Sequence, residues 1–173
     1  KGQLINTEED FSVSKVSIDT RNMDDAQIFI PIIGENFDGH SFIDLAFRHG
    51  ALVSLFQKDY DYSMFKSPLI LVDDTTEALG QLAKSYLELI GAKVVGVTGS
   101  NGKTSTKDII ASLLSVHYRV QKTLGNFNNE IGLPLTILRM PQDTQVAVLE
   151  MGMSALGEIS KLAHIAPCDV AVI

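Results

Sequence analysis

Residues 94–107 read Val94-Val95-Gly96-Val97-Thr98-Gly99-Ser100-Asn101-Gly102-Lys103-Thr104-Ser105-Thr106-Lys107. The β-branched residues at the start of this segment predict a strand, and the glycines that follow predict a turn. The turn ends in Gly-Lys-Thr, after which apolar residues recur at helical spacing, namely Ile109, Ile110, Leu113, Leu114 and Val116. The segment therefore predicts a strand, a loop and a helix in direct succession.

The loop has the chemistry of a phosphate-binding site. Its glycines can adopt backbone angles that are closed to other residues, so successive N–H groups can face an anion. The helix adds the positive end of its dipole, Lys103 can reach the outer phosphates, and the Thr104 hydroxyl can ligate Mg²⁺. Val97 stands five positions before Gly102, where the usual P-loop has glycine. This spacing indicates a subgroup of P-loop proteins, and the alternative is a turn without a ligand.

The composition predicts a soluble globular protein of the cytoplasm. The chain has 173 residues, 45% of them hydrophobic, which suits one large domain or two small ones. A net charge of −7 argues against a nucleic-acid surface, and neither a membrane span nor a signal pattern is recognisable. A single cysteine permits no internal disulfide, which suits a reducing compartment. Because the chain starts without Met and ends inside the apolar run 170–173, we expect it to be a piece of a longer protein.

The residues before the loop predict a small α/β domain. Apolar runs at 16–18, 28–33, 51–56 and 69–72 predict strands, and Pro31 favours an edge position for the second. Phe42, Ile43, Leu45 and Ala46 predict a helix between them. A capping-box spacing at Asp74 and Glu77 precedes a further helix that ends at Gly91. We therefore predict an α/β protein with domains at 1–74 and 75–173, the second a P-loop domain with a mostly parallel sheet flanked by helices.

Two polar clusters interrupt the first domain. One consists of Asp19, Thr20 and Arg21 after a strand, and the other lies in the segment 34–40, which ends in Asp38, Gly39 and His40. Donors at strand ends can hold a diphosphate or a sugar, and the planar fork of Arg21 fits phosphate oxygens. The alternative, that these residues only form turns and a helix cap, is equally open.

Two features beyond the loop point to the same ligand edge. Three asparagines, Asn126, Asn128 and Asn129, lie in the segment 125–134 and predict a loop that contacts a ligand. A buried strand over 145–149 ends on Glu150, and the carboxyl ends of parallel strands open on the ligand edge. Glu150 would therefore hold Mg²⁺ beside Thr104, unless it is an ordinary solvated glutamate. Residues 157–166 predict a helix, and 169–173 predict a further parallel strand.

These motifs resemble the Mur ligases, the ATP-dependent amide-forming enzymes of peptidoglycan precursor synthesis. Residues 96–104 are similar to the variant phosphate loop of that family, and residues 125–132 and 150–153 look like its F-type members. Asp19-Thr20-Arg21 and the segment 34–40 resemble the N-terminal domain that the E and F types share.

The resemblance implies a reaction and a set of roles. ATP would phosphorylate the carboxylate of UDP-N-acetylmuramoyl-tripeptide, and the amine of D-alanyl-D-alanine would attack the acyl phosphate in a monomeric enzyme. Lys103 and Glu150 would be catalytic, and Thr104 and Glu150 would hold Mg²⁺. The loop residues would hold the triphosphate: Gly99, Ser100, Asn101, Gly102, Lys103, Thr104 and Ser105. The N-terminal domain and the asparagine loop would bind the UDP-linked substrate.

The resemblance also has departures and competitors. Asp24-Asp25-Ala26 stands where the family usually has a Pro-Gly turn. Later family residues, among them a second metal-binding histidine, a carbamylated lysine and the whole C-terminal domain, lie beyond Ile173, so we expect this stretch alone not to catalyse ligation. An E-type Mur ligase, a folylpolyglutamate synthetase-like ligase and a regulatory P-loop module remain as alternatives.

Overall fold

A computed structural model describes residues 2–8, 12–23 and 27–173, so the Asp24-Asp25-Ala26 turn lies outside the described residues. The chain divides into two compact units, Lys1–Ala78 and Leu79–Ile173. This division falls about one helical turn after the boundary predicted between residues 74 and 75.

The first unit is a small α/β sheet domain. Its described strands and α-helix have these bounds: β1 Gln3–Ile5, β2 Lys15–Ser17, β3 Gln27–Phe29, α1 Ile43–Arg48, β4 Ala51–Gln57 and β5 Leu69–Val72. The sheet order is β1-β5-β4-β3-β2, and β1 is antiparallel to β5 while the other pairs are parallel. Short 3-10 helices at Thr20–Asn22 and Gly39–Phe42 follow the strands β2 and β3 in the chain.

Two details of the first unit differ from the sequence prediction. The strand predicted over 28–33 ends at Phe29, and it lies between β2 and β4, so the predicted edge position is wrong. The reason is that Pro31 follows the strand and therefore removes no donor from the sheet. Strand β1 was not predicted, because its three residues, Gln3–Ile5, are too short to show an alternating pattern.

The second unit is a four-stranded parallel sheet between helices, within the described residues. Helix α2, Thr75–Ile90, begins in the first unit and continues into the second. The remaining elements are β6 Lys93–Val97, α3 Lys103–Leu114, β7 Val120–Lys122, α4 Gly132–Leu138, β8 Val146–Glu150, α5 Glu158–Ile165 and β9 Val170–Val172. The order is β7-β8-β6-β9 and every pairing is parallel, so the predicted α/β fold with a mostly parallel sheet is confirmed.

Strand β8 shows how the sheet sorts its side chains. Ala147 and Leu149 pack with residues of α2, α4 and α5 on one face, while Val146 and Val148 pack with Ala111 of α3 on the other. Because side chains alternate along a strand, Glu150 belongs to the α3 face. The loop between β6 and α3 lies at this same carboxyl end of the sheet.

No helix in the described ranges is both long enough and apolar enough to cross a membrane.

Helix α4 was not predicted, because the asparagine-rich segment before it was expected to continue as a loop to Pro134. The helix begins at Gly132, so Pro134 lies in its first turn, where a missing N–H costs nothing.

Leu149 is fully buried in the strand that carries Glu150, so its truncation tests this packing. We expect Leu149→Ala to lower the free energy of unfolding by about 2–5 kcal/mol, measured by urea denaturation. Leu89→Ala in α2 is the matched control, because Leu89 is 76% exposed, and it should change stability by less than about 0.5 kcal/mol. Equal effects of the two substitutions would contradict the assignment of the core.

Candidate functional site

The glycine loop between β6 and α3 has the backbone of an anion-binding turn. Gly99 and Gly102 have φ angles of 127° and 76°, which other residues rarely adopt. Thr106 is the first residue whose N–H donates within the helix, to the Gly102 carbonyl at 2.9 Å. The amides of the first turn before it have no carbonyl of the helix to bond. The sequence Gly99–Ser105 therefore forms a helix N-terminus suited to phosphate oxygens.

Lys103 and Thr104 open the helix and point to two different partners. The Lys103 Nζ donates to the Gly99 carbonyl at 2.8 Å, so the ammonium lies over the loop. The Thr104 hydroxyl donates to Glu150 Oε2 at 2.9 Å. The structure thus brings together three residues that the sequence predicts to share one site.

Glu150 is held by hydrogen bonds to its backbone and to its side chain. Its backbone N–H donates to the Thr123 hydroxyl at 2.9 Å, and its Oε1 accepts from Asn128 Nδ2 at 2.9 Å. Only 3% of the residue is exposed, so it is not the solvated glutamate of the alternative interpretation. A buried carboxylate with several hydrogen bonds is held in one orientation.

A buried lysine lies beside this carboxylate. Lys107 Nζ is 3.7 Å from Glu150 Oε2 and 3.5 Å from Asp108 Oδ1. Asp108 in turn accepts from Lys122 Nζ at 2.9 Å, and this hydrogen bond, together with the charge of Lys107, holds the pKa of Asp108 below its ordinary value. Alternating charges therefore lead from Glu150 across α3 to the strand β7.

The asparagine loop is joined to the same carboxylate. Asn128 binds Glu150 with its side chain and accepts from the Gly152 N–H at 2.9 Å with its backbone carbonyl. A Cβ on residue 152 would lie 2.9 Å from the Asn128 side-chain amide, so a larger residue there would displace that amide from its position beside Glu150. Asn129 Oδ1 accepts from the Gly132 N–H at 2.8 Å and thereby caps α4. Asn128 and Asn129, two of the three asparagines predicted to contact the substrate, therefore have partners within the protein.

One cavity connects the phosphate loop with the asparagine loop. Its volume is about 420 Å³, and its lining includes Lys103, Asn126, Asn128, Asn129, Glu158 and Lys161. Glu158 also accepts from the Ser154 N–H at 2.6 Å, and this bond lowers the pKa of the carboxyl. The cavity therefore has polar walls from the asparagine loop and charged walls from the helices α3 and α5.

The pair of Thr104 and Glu150 fits Mg²⁺. Its hydroxyl and carboxylate oxygens are 2.9 Å apart, and neighbouring ligands of an octahedral magnesium ion are separated by about 3 Å. In the described ranges, no group of three or more His, Cys, Asp or Glu side chains is arranged to hold a metal. Few protein ligands suit magnesium, which keeps waters and takes further oxygens from a bound phosphate.

The cluster of Asp19, Thr20 and Arg21 has partners of its own. Asp19 accepts from the Arg21 N–H at 3.0 Å, and its carboxylate receives the Arg21 guanidinium at 2.9 Å and 2.7 Å. The Thr20 carbonyl accepts from His49 Nδ1 at 2.6 Å. The side chain of Arg21 is 86% exposed, so its guanidinium faces solvent even while paired.

The residues Asp38, Gly39 and His40 have hydrogen-bond partners within the protein. His40 Nε2 accepts from the Gln57 N–H at 3.2 Å, so the ring proton is on Nδ1 and donates to Asp38 at 2.7 Å. The His40 ring also stacks on Tyr60, with centroids 4.4 Å apart. The Gly39 N–H donates to the Ile32 carbonyl at 3.0 Å. The turn-and-cap interpretation accounts for these contacts without a ligand.

Sequence reasoning missed Lys107 and Thr123 as parts of the site. A signal for Lys107 exists, because residues 107, 111 and 114 share the face of α3 that packs on the sheet. A lysine on a packed face requires a buried negative partner. Thr123 carries no comparable signal, since its role depends on the pairing of β7 with β8.

Comparisons with known proteins identify relatives along the whole chain. A model described as Mur ligase family, catalytic domain, matches residues 12–87, and one described as Mur ligase middle domain matches residues 97–173. UDP-N-acetylmuramoyl-tripeptide–D-alanyl-D-alanine ligase of Bacillus subtilis (strain 168) is 53% identical over 174 residues, which covers 100% of this chain and 38% of that protein. The ligase of the same name from Synechocystis sp. is 38% identical and covers 98% and 37%.

Solved structures agree with these matches. Crystal structure II of MurF from Acinetobacter baumannii superposes with a TM-score of 0.89 at 31% identity, covering 98% of this chain and 37% of that one. MurF ligase from Thermotoga maritima in complex with ADP gives 0.81 at 38% identity, covering 91% and 36%. The chain therefore spans less than two fifths of the length of these relatives.

The Asp19–Arg21 pair predicts a measurable titration. The side-chain hydrogen bond from Arg21, assisted by its backbone N–H, lowers the pKa of Asp19 from 3.8 to about 2. A depressed pKa means that the pair stabilises the fold fully above pH 3.8 and that this contribution is lost as the pH falls towards 2. Carboxyl-detected NMR of Arg21→Met should show the Asp19 pKa rising towards 3.8. Arg48→Met serves as the control, and an unchanged Asp19 pKa in Arg21→Met would exclude the pair.

Proposed function

This chain belongs to the Mur ligase family, and we propose that the full-length protein is an ATP-dependent ligase that joins D-alanyl-D-alanine to UDP-N-acetylmuramoyl-tripeptide in peptidoglycan precursor synthesis. The observation that carries the proposal is that one carboxylate, Glu150, binds both Thr104 of the phosphate loop and Asn128 of the asparagine loop. The names of the relatives support the choice of substrates, and the ADP complex of the Thermotoga maritima ligase supports the nucleotide.

The phosphate loop would position ATP for transfer of its γ-phosphoryl group. Main-chain amides between Gly99 and Ser105 would bind phosphate oxygens, and Lys103 would stabilise negative charge on the transferring group. Lys103 lines the cavity together with Asn126, so the phosphoryl group would face the space next to the asparagine loop. The carboxylate of the UDP-linked peptide would attack from that space, forming an acyl phosphate and ADP.

Thr104 and Glu150 would hold Mg²⁺, which supplies Lewis-acid stabilisation of the phosphate charges. Asn128 keeps Glu150 in place through Oε1, while Oε2 stays directed at Thr104. The amine of D-alanyl-D-alanine would then attack the acyl carbon, so that the amide forms, inorganic phosphate leaves and the amine loses a proton.

The remaining roles follow from the same proposal. Asn126 would contact the substrate in the cavity, and Arg21 would contact the UDP portion with its exposed guanidinium. We expect a monomeric cytoplasmic enzyme that acts on neither nucleic acid nor membrane. Residues 1–173 alone should not catalyse ligation, because this chain covers only 38% of the Bacillus subtilis enzyme.

The reaction itself can be tested with the full-length protein. Phosphate release from ATP should require both UDP-N-acetylmuramoyl-tripeptide and D-alanyl-D-alanine, and the product should be the UDP-linked pentapeptide by mass spectrometry. Release that depends on a diamino acid and a UDP-linked dipeptide would indicate an E-type ligase. Release without any amine or UDP-sugar would instead indicate a regulatory nucleotide switch.

The nucleotide site can be tested by calorimetric titration of the full-length protein with ADP and Mg²⁺. Lys103→Ala removes a charge-assisted bond to phosphate and should weaken binding about tenfold or more. Lys93→Ala is a matched control, because Lys93 lies at the opposite end of β6 and pairs with Asp169 at 2.8 Å. Equal affinities of Lys103→Ala and the unmodified protein would refute the site.

A further inference from the structure

Lys107 is a buried cation that the proposed reaction does not use. Its side chain is 3% exposed and that of Glu150 is 4% exposed, and their charged atoms lie 3.7 Å apart. A buried charge is tolerated when an opposite charge lies close to it. The second acidic partner, Asp108, has a side chain that is 47% exposed and is shared with Lys122. Glu150 is therefore the buried counter-charge of Lys107.

This pairing changes the net charge that a divalent cation encounters near Glu150. The pair of Lys107 and Glu150 is neutral, and Lys103 at the head of the same helix adds one positive charge. A free dication approaching Glu150 would be repelled by both ammonium groups at short range. A nucleoside triphosphate would bring enough negative charge to reverse this balance.

We propose that Lys107 is an internal counter-ion that keeps the cation site of Glu150 and Thr104 weak until nucleotide is bound. The inference rests on the proposed function, since it assumes that these two residues hold magnesium. Lys107 is thus a positioning residue that acts through Glu150 and touches no substrate.

The experiment measures free Mn²⁺ binding to the full-length protein by electron paramagnetic resonance, without nucleotide. Lys107→Met removes the buried positive charge and should tighten Mn²⁺ binding about tenfold. Lys107→Arg keeps the charge and should bind Mn²⁺ as the unmodified protein does. In a double variant, Lys107→Met with Glu150→Gln, the gained affinity should be lost, because the freed carboxylate is its source.

Lys122→Met is the matched control. This variant removes one positive charge and breaks the ion pair between Lys122 and Asp108. In the unmodified protein the Lys122 ammonium contacts Asp108 and not Glu150. The Mn²⁺ affinity of the variant should stay within about twofold, which separates the local effect from that of net charge. A gain in Lys122→Met equal to that in Lys107→Met would overturn the inference.

Other outcomes are equally decisive. Unchanged or weaker Mn²⁺ binding in Lys107→Met would show that Lys107 does not oppose the cation. If Lys107→Met does not fold by circular dichroism, Lys107→Gln is measured in its place, and failure of both to fold would assign Lys107 to the fold alone. Failure of the proposed function looks different, because phosphate release from ATP by the unmodified protein would then not require UDP-N-acetylmuramoyl-tripeptide and D-alanyl-D-alanine.

Discussion

The carboxylate of Glu150 is the constraint on which the site depends. Its place follows from strand periodicity, since alternation along β8 directs Val146, Val148 and Glu150 to the face that α3 covers. The same alternation puts the apolar side chains of Ala147 and Leu149 on the opposite face, where three helices cover them. The strand β8 thereby contributes apolar side chains to the core and places the carboxylate of Glu150 at the end of the sheet.

The buried carboxylate of Glu150 requires polar or charged partners around it. Thr104 and Lys107 of α3 both lie at Oε2, at 2.9 Å and 3.7 Å, while Asn128 of the asparagine loop donates to Oε1. Replacing any one of them would leave a buried polar group without its partner, which costs more than the bond contributes. The phosphate loop and the asparagine loop are therefore fixed relative to each other by one side chain. In the proposed reaction, this arrangement would hold the phosphoryl donor and its acceptor in a defined relative position.

The sequence predicted the fold and the proximity of Lys103, Thr104 and Glu150, because local patterns indicate both. The glycines before Lys103 require special backbone angles, and a buried apolar strand that ends in an acid marks the edge of a parallel sheet. The helix pattern was less informative on its own. Ile109, Leu113 and Val116 were counted as part of the amphipathic stripe, yet they are 60%, 68% and 72% exposed. Lys107 was overlooked because its burial depends on a partner 43 positions away in the chain, which no local pattern records.

The two polar clusters of the first unit show why hydrogen bonding within a protein does not settle a role. His40 is buried and both ring nitrogens are engaged, so binding a ligand would break bonds that nothing in its surroundings replaces. Arg21 is also paired, but its side chain is 86% exposed, and exposed ion pairs contribute little net stability. A diphosphate could therefore take the place of Asp19 at the guanidinium with little loss, and the planar fork is already ordered for it. Of the two clusters, the one around Arg21 is the better candidate for recognition of a UDP-linked substrate.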